Sequence, residues 1–229
     1  MTAIRVASGT AGGAPMVPAS LLNLILTGVG GQGNLFASQI IARAALLEGL
    51  SVRIAETYGV TQRGGPVYSQ VRIGREVYGP LIPKGQCDYM IGMEPIETLR
   101  RAAEYLAPGG HLTVNARVNV PLETKLGRQP SLGMETILRD LKRLGAGEIL
   151  SVDARAQAEG AGGIDTVNIF MVGTLYGLEG FPIAFASMGE AIRITTKPRS
   201  IEKNLSSLTA GREYALRARR GKQEGYWKR

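Results

Sequence analysis

A run of glycines between an apolar strand pattern and a helical pattern constrains the fold of this chain more than any other feature. Residues 24–26 are apolar, residues 28–33 read GVGGQG, and apolar positions at helical spacing follow from Leu35 to Leu47. This order predicts a strand, a glycine turn and a helix. A second strand pattern at 51–55 is followed by Glu56 and then by a second glycine-bearing loop at 58–65. We expect both loops to follow neighbouring parallel strands.

The glycine turn suits a ligand that approaches the backbone closely. Gly28, Gly30 and Gly33 carry no Cβ, so they allow a tight reversal and close packing of helix on strand. The amino end of the helix attracts phosphate or carboxylate groups. Glu56 stands where a dinucleotide-binding fold keeps its ribose-binding carboxylate. These features alone predict a Rossmann-type NAD or FAD site; the alternative is that the glycines serve only tight packing.

Length and charge bound the class of protein. The 229 residues are 44% hydrophobic and 20% charged, which suits one domain. Residues 1–20 lack the apolar centre of a secretory signal, and no apolar run is long enough to cross a bilayer, so we expect a mobile leader and a cytoplasmic protein. The net charge of +8 is concentrated in residues 212–229, a basic helix end and tail. Such a tail favours a solvated face or an acidic partner over nucleic acid.

The rest of the chain alternates strand and helix patterns. Residues 67–73 predict a strand, with a hairpin at 74–75 into a short strand at 76–78. Glu94 and Pro95 open a helix that residues 108–110 stop, and residues 116–133 form a long loop. The predicted fold over residues 21–211 is α/β, a mixed, mostly parallel sheet with helices on both faces.

Several kinds of site are disfavoured. Cys87 is the only cysteine, so it predicts a small core residue and excludes an internal disulfide. An iron–sulfur cluster needs about four cysteine ligands, so this chain alone holds none. His111 is the only histidine and has no ligand-spaced neighbours, so we do not assign it as a catalytic base or metal ligand. The thiamine-diphosphate magnesium motif does not occur, and the sequence predicts no metal site and no complete active site.

Five short motifs, together with the helix around Asn204 near the end, carry a resemblance that covers most of the chain. They are GVGGQG at 28–33, ETYG at 56–59, QRGG at 62–65, SQVRIG at 69–74 and PLIP at 80–83. Together they resemble the gamma domain of the 2-oxoacid:ferredoxin oxidoreductases, with the greatest likeness to the indolepyruvate branch. The likeness runs from about Leu22 to Tyr214 and shows the same order of elements, so it implies the gamma-domain α/β fold with Rossmann-like layering.

The resemblance implies a subunit that is inactive alone. In that family a large partner subunit carries thiamine diphosphate, magnesium and 4Fe–4S clusters, and the enzyme is a hetero-oligomer. A 2-oxoacid, here an aryl one such as indolepyruvate or phenylglyoxylate, is oxidatively decarboxylated to an acyl-CoA with coenzyme A as co-substrate. The electrons pass to ferredoxin, and in some relatives onward to NAD through further subunits. The implied cofactors therefore belong to the partner, and this chain holds none.

The same resemblance assigns two loops that face the partner's active site. The cofactor-binding positions it implies are Gly28, Gly30, Gly31, Gly33, Gly64 and Gly65. The side chains it turns toward the active site are Gln32, Thr61, Gln62 and Arg63. Thus one wall comes from residues 28–33 and the other from residues 61–65.

The resemblance leaves alternative roles open for several individual side chains. Arg63 binds a substrate carboxylate or a coenzyme A phosphate, or makes a salt bridge between subunits. Gln32 donates to a substrate or thiamine carbonyl, or caps the glycine turn. Under the resemblance Glu56 becomes a loop-ordering or interface carboxylate. Tyr58 and Tyr68 suit a subunit interface better than an aryl substrate pocket.

Overall fold

The computed structural model describes residues 21–57, 65–117 and 132–223, which build a six-stranded sheet in the order β2-β3-β1-β4-β5-β6. The strands are β1 Leu22–Val29, β2 Ser51–Thr57, β3 Pro66–Gly74, β4 Cys87–Gly92, β5 Leu106–Asn115 and β6 Ile149–Val152. The helices are α1 Asn34–Leu47, α2 Pro95–Tyr105, α3 Met134–Arg143, α4 Ala154–Ala161, α5 Val167–Thr174, α6 Phe185–Thr195 and α7 Ile201–Gln223. The predicted leader, the loop around Arg63 and the end of the tail lie outside the described residues.

The sheet is mixed and mostly parallel, as predicted. Strands β1, β4, β5 and β6 run parallel, whereas β3 is antiparallel to both β1 and β2. The prediction that the two glycine loops follow neighbouring parallel strands is therefore wrong, because β3 lies between β1 and β2. Both strands still point the same way, so their carboxyl ends lie at the same edge of the sheet.

The predicted hairpin after Gly74 is also wrong. Strand β3 pairs with a strand on each side, so it has no free edge for a partner at 76–78. The chain instead crosses to β4 in an irregular segment held by two side chains of β3. Arg72 Nη1 donates to the carbonyl oxygens of Gly79 and Leu81 at 3.0 and 3.1 Å, and Gln70 Oε1 accepts from the N–H of Ile82 at 2.6 Å. Side-chain hydrogen bonds thus replace the strand ladder.

Helices cover both faces of the sheet, as predicted, because alternate residues of β1 point to opposite sides. Leu24 and Leu26 pack in a core with α1, α5, α6 and α7, and Ile25 packs in a second core with α2 and α3. Ile40, Ile41 and Ala44 of α1 are fully buried in the first core, whereas Leu35 and Leu47, which belong to the same predicted apolar pattern, are 41% and 40% exposed. A hydrophobic layer therefore lies on each side of β1.

Close packing of α5 on α7 depends on glycine. A Cβ on Gly173 would lie 2.2 Å from the carbonyl oxygen of Leu208, and one on Gly211 would lie 2.1 Å from that of Phe170. The absence of two methyl groups lets the two backbones approach, which buries Phe170 completely. This packing fixes α5, whose first turn reaches the carboxyl edge of the sheet.

One helix boundary differs from the prediction, and one helix was not predicted. Helix α2 ends at Tyr105 and the chain is already extended at Leu106, before the turn at 108–110, since Leu106 pairs with Cys87 and packs in the second core. Helix α4 was absent from the sequence prediction. Asp153 caps it by accepting from the N–H of Ala156 at 3.1 Å, and Ala154 and Ala158 are buried.

Candidate functional site

The turn after β1 is held by its own hydrogen bonds. Gln32 Oε1 accepts from the N–H of Val29 at 2.9 Å, and the N–H of Gln32 donates to the carbonyl oxygen of Val29 at 3.2 Å. Gly31 and Gly33 adopt φ values of +96° and +79°, where residues with a Cβ are strained. The capping alternative for Gln32 is therefore observed, and the side-chain oxygen is used within the turn.

The capping bond determines which atom of the Gln32 amide can still form a hydrogen bond with a ligand. Because Oε1 is engaged, Nε2 is the atom left to donate, and it has no hydrogen-bond partner among the described residues. Gln32 is half-buried and lines the cleft described below. Its predicted role as a donor thus remains compatible with the capping bond and stays a prediction.

Neighbouring side chains leave no room for a Cβ at positions 28 and 33. A Cβ on Gly28 would lie 2.3 Å from Gln32 Oε1 and 3.0 Å from the Cβ of Met93. A Cβ on Gly33 would lie 2.4 Å from Asn168 Nδ2, which donates to the carbonyl oxygen of Gly33 at 3.1 Å. Asn168, in the first turn of α5, therefore anchors the start of α1.

A cleft of about 350 Å³ opens beside this turn, at the carboxyl edge of the parallel strands. Its walls are the glycine turn after β1, Met93 after β4, Asn115 at the end of β5, and the starts of α4 and α5. In open α/β sheets, ligands bind at this edge, in the crevice beyond the strand ends. Asn115 Oδ1 accepts from the N–H of Ala154 at 3.2 Å and so ties the end of β5 to α4.

The charged groups of the cleft are mostly cationic. Arg117 follows β5 and Arg155 lies in the first turn of α4; both side chains are exposed and line the cleft. Neither guanidinium has an ion-pair or hydrogen-bond partner within the described part of the chain. Asp165 also lines the cleft, but it is paired with Lys203, and the hydrogen bond and charge of that ammonium hold the pKa of the Asp165 carboxyl below its usual value. Among the described residues, the charge of the cleft therefore comes from Arg117 and Arg155.

The sequence reasoning missed Arg117, Arg155, Asn115 and Asn168. Arg117 lay in a segment predicted only as a long loop, and Arg155 lay in the helix that was not predicted. The available signal was Asp153 ahead of an alanine-rich stretch, an N-cap pattern that predicts a helix start after β6. No sequence pattern assigned a role to Asn168.

Glu56 has a structural role that excludes its use as a ribose ligand. Its carboxylate oxygens accept from Ser38 Oγ of α1 at 2.9 Å and from Ser69 Oγ of β3 at 2.5 Å. A dinucleotide fold keeps its acidic residue on a strand adjacent to β1, whereas here β3 separates β2 from β1. The carboxylate therefore joins α1, β2 and β3, and its predicted role in ordering the loop or an interface stays a prediction.

The second predicted wall is mostly outside the described residues. Thr61, Gln62, Arg63 and Gly64 belong to it, together with Tyr58 before them, so their roles stay predictions. Gly65 is described, and its carbonyl oxygen accepts from the N–H of Gly30 at 2.9 Å. The second loop therefore ends directly against the first. Tyr68 lies nearby on β3, on the opposite face of the sheet from α1, beneath Arg101.

The described residues do not fit a metal or cluster site. They contain no group of three or more His, Cys, Asp or Glu side chains placed to hold a metal ion. Cys87, the only cysteine in the sequence, is completely buried, and burial raises the pKa of its thiol. His111 packs against Tyr89, and its Nδ1 accepts from the N–H of Glu148 at 3.3 Å. In the described segments, every helix is too short or too polar to span a bilayer.

Comparison with known proteins gives a consistent result. The family model described as pyruvate ferredoxin/flavodoxin oxidoreductase matches residues 23–214. Indolepyruvate oxidoreductase subunit IorB of Archaeoglobus fulgidus is 39% identical over 198 residues, which cover 86% of this chain and 97% of that protein. The subunit of the same name from Pyrococcus horikoshii is 36% identical over 189 residues, covering 82% and 93%.

A solved structure shares the fold. The gamma subunit of a keto/oxoacid ferredoxin oxidoreductase from Geobacter sulfurreducens superposes with a TM-score of 0.66 at 24% identity. The match covers 87% of this chain and 99% of the neighbour. The two chains therefore share a fold over most of their length.

Proposed function

The chain belongs to the pyruvate ferredoxin/flavodoxin oxidoreductase family, and on that premise we propose that it is the small subunit of a cytoplasmic, thiamine-diphosphate-dependent 2-oxoacid oxidoreductase. Its substrate is an aryl 2-oxoacid of the indolepyruvate type, which the holoenzyme decarboxylates oxidatively to an acyl-CoA with electrons passing to ferredoxin. The proposal is supported by the relatives called indolepyruvate oxidoreductase subunits, which match this chain over 93–97% of their length.

The observation that carries the proposal is the glycine turn at the mouth of an open cleft. The turn is rigid, since Gln32, Asn168 and Gly65 each hold one part of it by hydrogen bonds. It presents backbone and one amide group, rather than acids, bases or nucleophiles, at the carboxyl edge of the sheet. Such a surface can position and enclose a reactant but cannot by itself decarboxylate a 2-oxoacid. It suits the wall of an active site whose chemistry is supplied by another subunit.

The large partner subunit supplies that chemistry in this proposal. Thiamine diphosphate with magnesium provides the carbanion-stabilising group for decarboxylation, and the iron–sulfur clusters accept the electrons. The described residues of this chain offer no site that fits either group, so its contribution is positional. Residues 28–33 form one wall, and Thr61, Gln62 and Arg63 are proposed for the other.

The direct test is assembly followed by activity. The tagged full-length chain is purified anaerobically from native extract, and the eluate is analysed by mass spectrometry and absorption spectroscopy. We expect a brown complex with a large, cysteine-rich subunit that oxidises indolepyruvate in the presence of coenzyme A and ferredoxin, faster than pyruvate or 2-oxoglutarate. Isolation of the chain without a partner, or 2-oxoacid oxidation by the chain alone, contradicts the proposal.

A single substitution tests the turn within that complex. Gln32→Glu keeps an oxygen that can accept from Val29 but replaces the free amide donor by a carboxylate. If Gln32 Nε2 donates to a reacting group, kcat/KM for the 2-oxoacid falls about 10- to 100-fold, the loss expected for a hydrogen bond to a charged group. Gln157→Glu on the exposed face of α4 is the matched control and leaves kcat/KM unchanged. Equal activity of both variants would remove Gln32 from the active site.

A further inference from the structure

The face of the sheet opposite α1 is open over β2. On the other face, Val52 and Ile54 of β2 lie beneath α1 and pack against the first core. On the open face, α2 packs on β1, β4 and β5, and α3 packs on α2. Because alternate residues of a strand point to opposite faces, Arg53 and Thr57 point to this open face, and both are exposed. Among the described elements, no helix therefore covers β2 on this side.

Two arginines lie side by side on this face. Arg53 of β2 is directly opposite Arg72 of β3 in the antiparallel register. Within the described residues, their hydrogen bonds go only to uncharged oxygen atoms, and neither forms an ion pair with a described carboxylate. Other exposed arginines, such as Arg100 and Arg143, do form such pairs. Like charges directly opposite each other destabilise a strand pair, so an acidic group of a partner would relieve this repulsion.

The segment between β3 and β4 presents two large side chains beside the arginines. Tyr78 is 87% exposed and Leu81 is 65% exposed. Their neighbours Val77 and Ile82 are only 5% and 3% exposed, and the side-chain hydrogen bonds from β3 hold the backbone between them. An exposed side chain on a fixed backbone loses little freedom on binding, and tyrosine is enriched among the residues that contribute most to interfaces.

We propose that Arg53, Arg72, Tyr78 and Leu81 form the surface that binds the large partner subunit, which places a carboxylate opposite Arg53 and apolar side chains against Tyr78 and Leu81. The identity of this partner rests on the proposed function. The acidic chemistry of its contact surface follows from the two arginines, and the apolar part follows from the two exposed side chains.

The charges favour a different protein over a second copy of this chain. Strand β2 ends the sheet, and no described strand pairs with its outer edge. A second copy could pair there only about a two-fold axis, which would bring Arg53 and Arg72 close to the same two arginines of the other copy. A charged side chain on an edge strand also hinders such pairing. A partner with a carboxylate at this place is attracted instead.

The first experiment is a competition for the large subunit. The wild-type chain and a full-length variant are co-expressed with a limiting amount of tagged large subunit. Their ratio in the anaerobically purified complex is measured by mass spectrometry. We expect Arg53→Glu to be incorporated at least about tenfold less than wild type, since two carboxylates would then face each other. Tyr78→Ala should lose about tenfold or more, because it removes an aromatic anchor of the interface.

Arg220→Glu is the matched control. Arg220 is exposed, as Arg53 is, but it lies near the end of α7, which packs on the other face of the sheet. The same reversal of charge there should leave incorporation within about twofold, because only screened, long-range charge changes.

Thermal unfolding of the isolated chains separates binding from folding. In Arg53→Glu an opposite-charge pair with Arg72 replaces a like-charge pair, so this variant should unfold at the same or a higher temperature than wild type. A variant that is as stable as wild type but assembles less well supports a lost contact with the partner. If Arg53→Glu unfolds at a lower temperature, the incorporation of Tyr78→Ala alone decides.

Hydrogen–deuterium exchange of the free chain and of the complex locates the contact. We expect amides within residues 51–57 and 75–82 to exchange at least about tenfold more slowly in the complex. Protection that appears in the free chain and increases with its concentration would identify a second copy as the occupant and overturn the proposal.

Three further results would overturn the interface: incorporation of both Arg53→Glu and Tyr78→Ala at the wild-type level, an equal loss in Arg220→Glu, or unchanged exchange in the complex. Each can occur in a complex that oxidises a 2-oxoacid, in which case the proposed function stands. Protection of this surface in a complex that oxidises no 2-oxoacid refutes the proposed function and the identity of the partner, while the surface still binds a protein. A chain that binds no large subunit refutes both.

Discussion

The N–H of Gly30 donates a 2.9 Å hydrogen bond to the carbonyl oxygen of Gly65. This bond continues the antiparallel pairing of β1 with β3 one step beyond the Val29–Pro66 pair. Gly65, the last residue of the second glycine loop, therefore meets the first loop because β3 returns antiparallel beside β1. The expectation that the two loops follow neighbouring parallel strands was wrong, since β3 lies between β1 and β2.

Gly33→Ala should destabilise the protein more than Gly31→Ala. Both residues have positive φ, which costs an alanine about 1–2 kcal/mol. Only at Gly33 would the new Cβ also strike a side chain, Asn168 Nδ2 at 2.4 Å, whereas around Gly31 nothing lies within 4 Å. Displacing Asn168 adds about 1 kcal/mol for its hydrogen bond. Urea denaturation measures both free energies of unfolding, and equal losses would show that Asn168 does not anchor the turn.

Helix α7 offers an internal pair of glycines for testing its packing on α5. Gly211→Ala places a methyl group 2.1 Å from the carbonyl oxygen of Phe170 and should cost about 1–3 kcal/mol or more. Gly221→Ala lies in the same helix, and its Cβ would meet nothing within 4 Å. It should be neutral or stabilise the protein by up to about 1 kcal/mol, the helix preference of alanine. A Gly211→Ala protein as stable as wild type would contradict the observed helix contact.

Glu56→Ala should reduce stability without affecting nucleotide binding. The substitution leaves the hydroxyl of Ser69, a residue with no exposed surface, without its carboxylate partner, at a cost of about 1–3 kcal/mol. Glu76→Ala, which removes an exposed carboxylate, should stay within about 0.5 kcal/mol of wild type. Calorimetry with NAD should show no saturable heat for wild type or variant. Saturable NAD binding that Glu56→Ala abolishes would restore the dinucleotide hypothesis.

Tyr89 should make the protein less stable at alkaline pH. Burial raises the pKa of its phenol to about 12, from 10.0, and the hydroxyl donates to the carbonyl oxygen of Glu179 at 2.5 Å. Between these values the unfolded chain loses the proton first, so the free energy of unfolding falls as pH rises above 10. Tyr89→Phe should lower stability at pH 7 but flatten this decline. Urea denaturation from pH 7 to 11 measures the free energy of unfolding of both proteins. If this free energy falls with pH as steeply in the variant as in wild type, Tyr89 is not the cause of the alkaline decline.

Local sequence patterns predicted most of the elements because their causes are local. The glycine turn, the helix behind it and the proline-started α2 follow from backbone preference and hydrophobic periodicity. The resemblance of GVGGQG and QRGG to a known family predicted the gamma-type fold, and the family match over residues 23–214 confirms that membership. The proposed roles of Thr61, Gln62 and Arg63 remain predictions, since the structure does not describe them.

Strand order and the cleft depended on contacts between distant parts of the chain. Nothing in the pattern of residues 66–74 indicates that β3 inserts between β1 and β2, because an alternating strand pairs equally well at an edge or in the middle. Likewise, Asn115 holds Arg117 and Arg155 in one cleft only after β5 and β6 have paired. By itself the sequence determined the glycine turn, the helix behind it, the proline-started α2 and the family. Tertiary packing decided the strand order and which side chains line the cleft, since both depend on contacts between residues far apart in the sequence.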